Sequence, residues 1–286
     1  MISGATHLAA VVGRPVRHSL SPTIMNAAFA AAGLDWVYTA FEVAEGRGAD
    51  AVAAMRTLGI GGLSVTMPHK GAVHDAVDER TAVAADLGAV NCVFRQGDRL
   101  VGDNTDGAGF LDTLRLDRGV EVAGLRCVVV GAGGAGRAVA RALGGAGAAD
   151  VAVVNRSPEP AARAAQLAGS RGRVGTAADV PAADLVVNAT PLGMGDVAAG
   201  EARLPVDPAA LRSGQVVVDL VYHPEVTPLL AAAAARGATA LNGVGMLVHQ
   251  AAHAFVRWTG ERAPVDAMAD ATRRELARRA QADGSP

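Results

Sequence analysis

Residues 126–136 read RCVVVGAGGAG, an apolar strand-like run that passes directly into a glycine-rich turn and then into an alanine-rich stretch through Leu143. No other segment narrows the possible folds as far. Strand, tight turn and helix in immediate succession form a βα step of a parallel sheet. Gly131, Gly133 and Gly136 hold the spacing GxGxxG. Glycines there permit the tight turn and let backbone N–H groups at the helix N-terminus approach a pyrophosphate. In a chain with 35 glycines the spacing alone arises easily by accident. The strand before it and the helix after it are the context that makes it a dinucleotide site.

The end of the following strand selects the cofactor. NAD sites place Asp or Glu there to accept from the ribose 2′-hydroxyl, and that carboxylate would repel a 2′-phosphate. Here the strand DVAVVN (150–155) runs out into Asn155-Arg156-Ser157, with no acid. A guanidinium and a hydroxyl suit a 2′-phosphate, so NADP is the expected cofactor.

The same alternation of strand and helix extends both ways. Upstream, strands are expected at Leu8–Val12, Val37–Val43 and Gly62–Thr66, with helices over Pro22–Gly33 and Ala49–Leu58. Downstream, DLVVNATPLGM (184–194) and GQVVVDLVYHP (214–224) supply further strands, each ending in polar or turn residues, and the chain turns helical after Asn242, with a tail from Arg279 expected to fray. A chain of 286 residues exceeds one compact domain, so two α/β domains are expected. Half the residues are hydrophobic but only 3% are aromatic, which disfavours base-stacking platforms. A net charge of −2 gives no electrostatic footprint for nucleic acid or anionic membrane. Cys92 and Cys127 sit in apolar strand contexts and read as buried thiols of a reducing compartment, and no apolar run is long enough to span a bilayer. A soluble, cytoplasmic protein acting on a small molecule is the expectation.

Lys70 is the only lysine among 26 basic residues. Arginine holds its proton at any accessible pH, whereas an ammonium exchanges one when its surroundings tune it. Lys70 closes GLSVTMPHK (62–70), where a short strand meets a loop that can present a reactive group. Asn104, Thr105 and Asp106 precede an expected helix, so Asp106 is open to two roles, helix capping and catalysis. Ser21-Pro22 has the same ambiguity, being an ordinary helix start, while Ser19 has no such local reason to be there. His249 and His253 lie at i, i+4, but no nearby Glu completes a zinc pattern, and they read as a partly exposed helical pair. No metal site is expected.

Taken together, HSLSP (18–22), SVTMPHK (64–70), GAVN (88–91), GDNTDG (102–107), GAGGAGRA (131–138), NATPLGM (188–194) and DLVYHPEVTPLL (219–230) resemble the shikimate dehydrogenase family, motif by motif and in order. The resemblance implies a two-domain α/β enzyme: a substrate domain over 1–104, a Rossmann-type NADP domain over 105–242, and C-terminal helices, 243–286, packing back on the first. It implies reversible NADPH-dependent reduction of 3-dehydroshikimate to shikimate in chorismate and aromatic amino acid biosynthesis, by a monomer or homodimer. Lys70 and Asp106 fall on the family's catalytic pair. Ser19 and Ser21 fall on the serines that hold the substrate carboxylate, and Thr66, Asn91, Tyr222 and Gln250 on groups around the ring. Gly131, Ala132, Gly133, Gly134 and Ala135, then Asn155, Arg156 and Ser157, fall on the cofactor loop and 2′-phosphate cluster, with Leu220 and Gly243 near the nicotinamide. Two positions depart from the family pattern: Ser64 stands where Asn is common, and Pro160 where many NADP-specific members carry a second arginine. A quinate-oxidising relative is the nearest rival, against which Ser21 leans, since quinate-type relatives often have threonine there. A catalytically silent ligand sensor and a Schiff-base lysine enzyme are the readings from other classes.

Overall fold

The structure, a computed structural model, describes residues 2–195 and 204–283. The chain divides into two compact units, Met1–Thr105 with Val248–Pro286, and Asp106–Leu247. In chain order the first unit contributes β1 (His7–Gly13), α1 (Ser21–Ala31), β2 (Trp36–Glu42), α2 (Gly48–Thr57), β3 (Gly62–Val65), α3 (Lys70–Ala76), β4 (Glu79–Arg80), α4 (Ala82–Leu87), β5 (Cys92–Gln96) and β6 (Arg99–Asp103). The second contributes α5 (Asp106–Arg118), β7 (Arg126–Val130), α6 (Gly134–Gly145), β8 (Asp150–Val154), α7 (Pro158–Gln166), β9 (Gly172–Val174), β10 (Leu185–Asn188), β11 (Val216–Asp219), α8 (Pro228–Ala235) and β12 (Thr239–Leu241). The boundary back into the first unit falls inside α9 (Val244–Thr259), and α10 (Val265–Asp283) completes that unit. The opening turn of α9 stays with the second unit because Gly245 lies against Thr113 and Asp117 of α5, too close to admit a side chain.

The sheet of the first unit runs β2-β1-β3-β5-β6-β4 and is mixed. β1 pairs in parallel with β2 and β3, while β3, β5 and β6 are antiparallel neighbours. Side chains alternate across it. Ala10, Val12, Leu63, Val65 and Val93 face Ala51, Val52 and Met55 of α2 and Val73 of α3. On the other face, Phe29 of α1 packs on Trp36 and Phe255, and Tyr38 stacks on Trp258 of α9.

The sheet of the second unit is wholly parallel, in the order β12-β11-β10-β7-β8-β9. Apolar layers cover both faces, which is why its strands read as unbroken Val-rich runs rather than alternating ones. Counted from β7, the chain winds outward through β8 and β9, then returns to the other side of β7 and winds out through β10, β11 and β12. Strand order therefore reverses between β7 and β10, the position at which doubly wound sheets receive ligands.

β10 and β11 end in polar turns, as expected for 184–194 and 214–224: Asn188 accepts from Thr190 N–H (3.0 Å) and Asp219 from Val221 N–H (3.1 Å), bending the chain into side-chain-closed turns. Three expectations need correcting. The antiparallel hairpin β5–β6 breaks the anticipated βα alternation, turning at Gly97, whose φ is +61°. His249 is buried on α9, so only His253 of that pair is partly exposed. The chain stays helical from Arg279 to Asp283, since Arg279 pairs with Glu275 and donates to the His18 carbonyl; the last residues of the expected frayed tail lie outside the described residues. Among the described residues no helix is long and apolar enough to cross a membrane, and no group of three or more His, Cys, Asp or Glu is placed to hold a metal.

Candidate functional site

Candidate residues fall in both units. In the second, the turn leaving β7 meets the turn leaving β10 at the switch point. Gly131 has φ +105°, donates its N–H to the Val154 carbonyl (2.8 Å), and lies so close to Ala189 and Thr190 that a Cβ would stand 2.9 Å from each. Gly136 presses on the Gly131 carbonyl, where a Cβ would collide. These two glycines are demanded by the protein itself. Gly133, the N-cap of α6, and Gly134 are not: a Cβ on either would meet nothing within 4 Å. They leave open space at a helix N-terminus, which is the room a pyrophosphate takes.

Asn155 ties this loop to the next one. Its Oδ1 accepts from Ala132 N–H (3.3 Å) and its Nδ2 donates to the Ser157 carbonyl (3.0 Å). Arg156 and Ser157 are exposed beside it. Ser157 occupies the N-cap position of α7 but makes no side-chain cap bond. The first carboxylate after β8, Glu159, pairs with Arg163 along α7. The end of β8 thus presents a guanidinium and a hydroxyl, a donor set that fits a phosphate.

Sequence reasoning missed a buried network behind Leu220. Asp219 is fully buried and receives Asn188 Nδ2–H at 2.8 Å, Thr227 Oγ1–H at 2.6 Å and the Val221 N–H. Burial pushes its carboxyl upward, and the donors from Thr227, Val221 and Asn188 pull it back. The network fixes the turn in which Leu220 N–H reaches the Asn188 carbonyl (2.9 Å) and Gly243 N–H the Val221 carbonyl (3.1 Å). Tyr222, partly buried, follows on this turn. The polar residue at the end of each of two Val-rich strands was the available signal.

In the first unit, Ser19 Oγ accepts the Ser21 N–H (3.2 Å) at the start of α1. The N-cap position is Leu20, which has no acceptor, and Ser21 is already helical. This reverses the expected division of labour: Ser19 serves the helix start, and the Ser21 hydroxyl is not consumed as a cap. Arg279 Nη1 of α10 donates to the His18 carbonyl (2.7 Å) and holds the serine turn from outside.

Thr66 is fixed by its N–H to the Val12 carbonyl (2.9 Å), and its own carbonyl accepts from His69 N–H (3.0 Å). The His69 ring is buried, with Nε2 donating to the Val43 carbonyl (2.9 Å). Lys70 opens α3, and its carbonyl accepts Val90 N–H (3.0 Å), next to Asn91. Asn91 and Thr105 are doubly bonded, Thr105 N–H to Asn91 Oδ1 at 2.8 Å and Asn91 Nδ2 to Thr105 Oγ1 at 3.0 Å. Thr105 Oγ1 also donates to the Gln250 carbonyl (3.0 Å). Asp103 anchors the strand end through Thr81 Oγ1 (2.6 Å), Arg257 Nε (3.0 Å) and Asn104 N–H (2.8 Å). Hydrogen bonds therefore lace Lys70, Asn91 and Gln250 into one framework, with Thr66 joined through Val65 N–H to the Asn91 carbonyl (2.8 Å). Asp106, buried, is the first residue of α5 directly after Thr105.

Comparison with known proteins agrees along nearly the whole chain. The shikimate dehydrogenase substrate binding domain matches residues 11–93, shikimate/quinate 5-dehydrogenase matches 115–201, and the shikimate 5′-dehydrogenase C-terminal domain matches 243–273. A protein of Moorella thermoacetica named shikimate dehydrogenase (NADP(+)) is 45% identical over 280 residues, 93% of this chain and 92% of that one. The crystal structure of shikimate 5-dehydrogenase from Thermus thermophilus with NADP(H) and shikimate superposes with a TM-score of 0.86 at 36% identity, over 94% of this chain and 99% of that one. A crystal structure of a shikimate dehydrogenase in complex with NADP+ reaches a TM-score of 0.90 at 35% identity, covering 96% of this chain and 98% of that one. Identity at this level along nearly the full length goes well beyond a shared fold, and the chain belongs to the shikimate dehydrogenase family.

Proposed function

We propose that this chain is an NADP-dependent oxidoreductase that reversibly reduces 3-dehydroshikimate to shikimate, a step toward chorismate and the aromatic amino acids. The observation that carries the reading is the framework joining the chain's one lysine to Asn91, Thr105 and Gln250, with Asp106 next in sequence. NADPH, when bound, supplies the hydride. Gly131 to Ala135 receive its pyrophosphate at the N-terminus of α6, Arg156 and Ser157 its 2′-phosphate beside Asn155, and Leu220 and Gly243 its nicotinamide end.

Ser19 and Ser21 hold the substrate carboxylate, while Thr66, Asn91, Tyr222 and Gln250 hold the ring. Lys70 and Asp106 grip the substrate hydroxyls and deliver the proton to the ketone oxygen as negative charge develops there. A positioned acid of this kind contributes about 10²- to 10⁴-fold. We place the enzyme in the reducing cytoplasm, as a monomer or homodimer. Support for that compartment comes from Cys92 and Cys127, both buried and unbridged, with burial pushing the Cys127 thiol up to about 12.

The test is nicotinamide absorbance with shikimate and quinate, each against NADP+ and NAD+. Rapid reduction with shikimate and NADP+ is the expected result. Turnover of quinate alone would hand the substrate to the rival reading, and shikimate binding without turnover would favour a sensor.

A further inference from the structure

The hydroxyl of Tyr38 is the one buried side-chain polar atom, among the described residues, that makes no hydrogen bond of ordinary geometry. The residue is 2% exposed. Buried phenols nearly always find a partner, so the hydroxyls that face this one decide what it can do. Three features fix this side chain. Asn26 of α1 clamps its peptide, with Nδ2 donating to the Tyr38 carbonyl (2.9 Å) and Oδ1 accepting the Tyr38 N–H (2.8 Å). Its ring stacks on Trp258 at 5.9 Å between centroids. Trp258 in turn lies flat on Gly62, where any side chain would collide with the indole.

Register determines what the phenol meets. Tyr38 and Gly62 both stand opposite Ala9 of β1, and Ser64 stands opposite Val11, two residues on. Tyr38 and Ser64 therefore occupy the same face, across a strand whose side chains there are the small Ala9 and Val11. The hydroxyls of Ser64 and Ser21 face the phenol oxygen, and burial keeps that phenol protonated. Ser21 is the serine whose hydroxyl the helix start does not consume.

We propose that Tyr38 is a positioning residue for carboxylate recognition: with the acid bound, its O–H turns to donate to Ser21 Oγ, its oxygen accepts from the Ser64 hydroxyl, and the Ser21 proton is thereby aimed at the substrate acid. The chain of hydroxyls Ser64, Tyr38, Ser21 runs in one direction, and each bond polarises the next. The inference rests on the functional reading above, in which Ser21 holds the carboxylate.

Tyr38→Phe keeps the ring and its stack and removes only the donor. Steady-state kinetics and shikimate calorimetry on wild type, Tyr38→Phe and Ser64→Ala decide the matter. For Tyr38→Phe the expected result is a KM and Kd for shikimate about five- to tenfold higher, with kcat within about twofold and an unchanged KM for NADP+. Ser64→Ala shifts KM the same way by about two- to threefold. Equal shikimate affinity in wild type and Tyr38→Phe, or a loss shared by kcat and the NADP+ KM, would overturn the proposal while leaving the functional reading intact. Wild type that neither binds nor oxidises shikimate overturns both. If Tyr38→Phe does not fold, Ser64→Ala alone decides: an unchanged KM there is equally fatal.

Discussion

The two units assemble their candidate sites from different materials. In the second, recognition is mostly main chain: the turn 131–135, a helix N-terminus, and the turns after β10 and β11, with Gly131 and Gly136 present because nothing larger fits. In the first, recognition is side chain, gathered from positions as far apart as Ser19 and Gln250 and held in register by Asn91, Thr105, Asp103 and Arg257. A backbone site tolerates change in neighbouring side chains but no added carbon at its closest approaches. A side-chain site depends on each tie that orients a group.

The sharpest way to separate the two is Lys70→Ala. It should lower kcat by about 10²- to 10⁴-fold, with NADP+ affinity by fluorescence titration unchanged. Gly136→Ala is the mirror image. Its Cβ meets the Gly131 carbonyl, overpacking of the kind that costs about 1–3 kcal/mol, so cofactor affinity should fall about 5- to 100-fold while shikimate binding persists. Arg156→Ala probes the exception, a side chain serving the backbone-built site. Loss of one charge-assisted bond, about 1.5 kcal/mol, should narrow the preference for NADP+ over NAD+ roughly tenfold, and an unchanged ratio would remove Arg156 from 2′-phosphate recognition.

The smallest effect belongs to the tie that holds the serine turn. Glu275, bonded to Arg278 and Arg279, has its carboxyl held down at about 2 from an ordinary 4.5. A depressed carboxylate contributes stability that is full above its unfolded value and is lost as pH falls toward the folded one. The melting-temperature gap between wild type and Glu275→Gln should therefore be constant above about pH 5 and close between about 4.5 and 2. A gap that does not change with pH would mean the pair acts by packing alone.

Legibility in the sequence follows the same division. β7 has the bounds that RCVVV suggests, because an apolar run buried on both faces ends where glycine begins. The cofactor turn is contiguous, so spacing exposes it. The bonds between Asn91 and Thr105 join residues 14 apart, and no periodicity announces them. His249 reads as half-exposed because its spacing to His253 says nothing about which neighbours cover α9. The place of Tyr38 beside Ser64 depends on a register shared by three strands, which is settled only when β1 pairs on both sides. The hairpin at Gly97-Asp98 does carry a local turn signal, masked by the βα rhythm around it.

Arg279, near the C-terminal end of the described chain, grips the carbonyl of His18, near its start. The second unit is continuous in sequence, whereas the first waits for residues 248 onward. As the chain emerges from a ribosome, the nucleotide-binding half is complete in sequence while the serine turn still lacks the helix that braces it. On the proposed assignment of sites, the part that takes the coenzyme is therefore finished first in the life of each molecule, and the part that takes the acid only with α10.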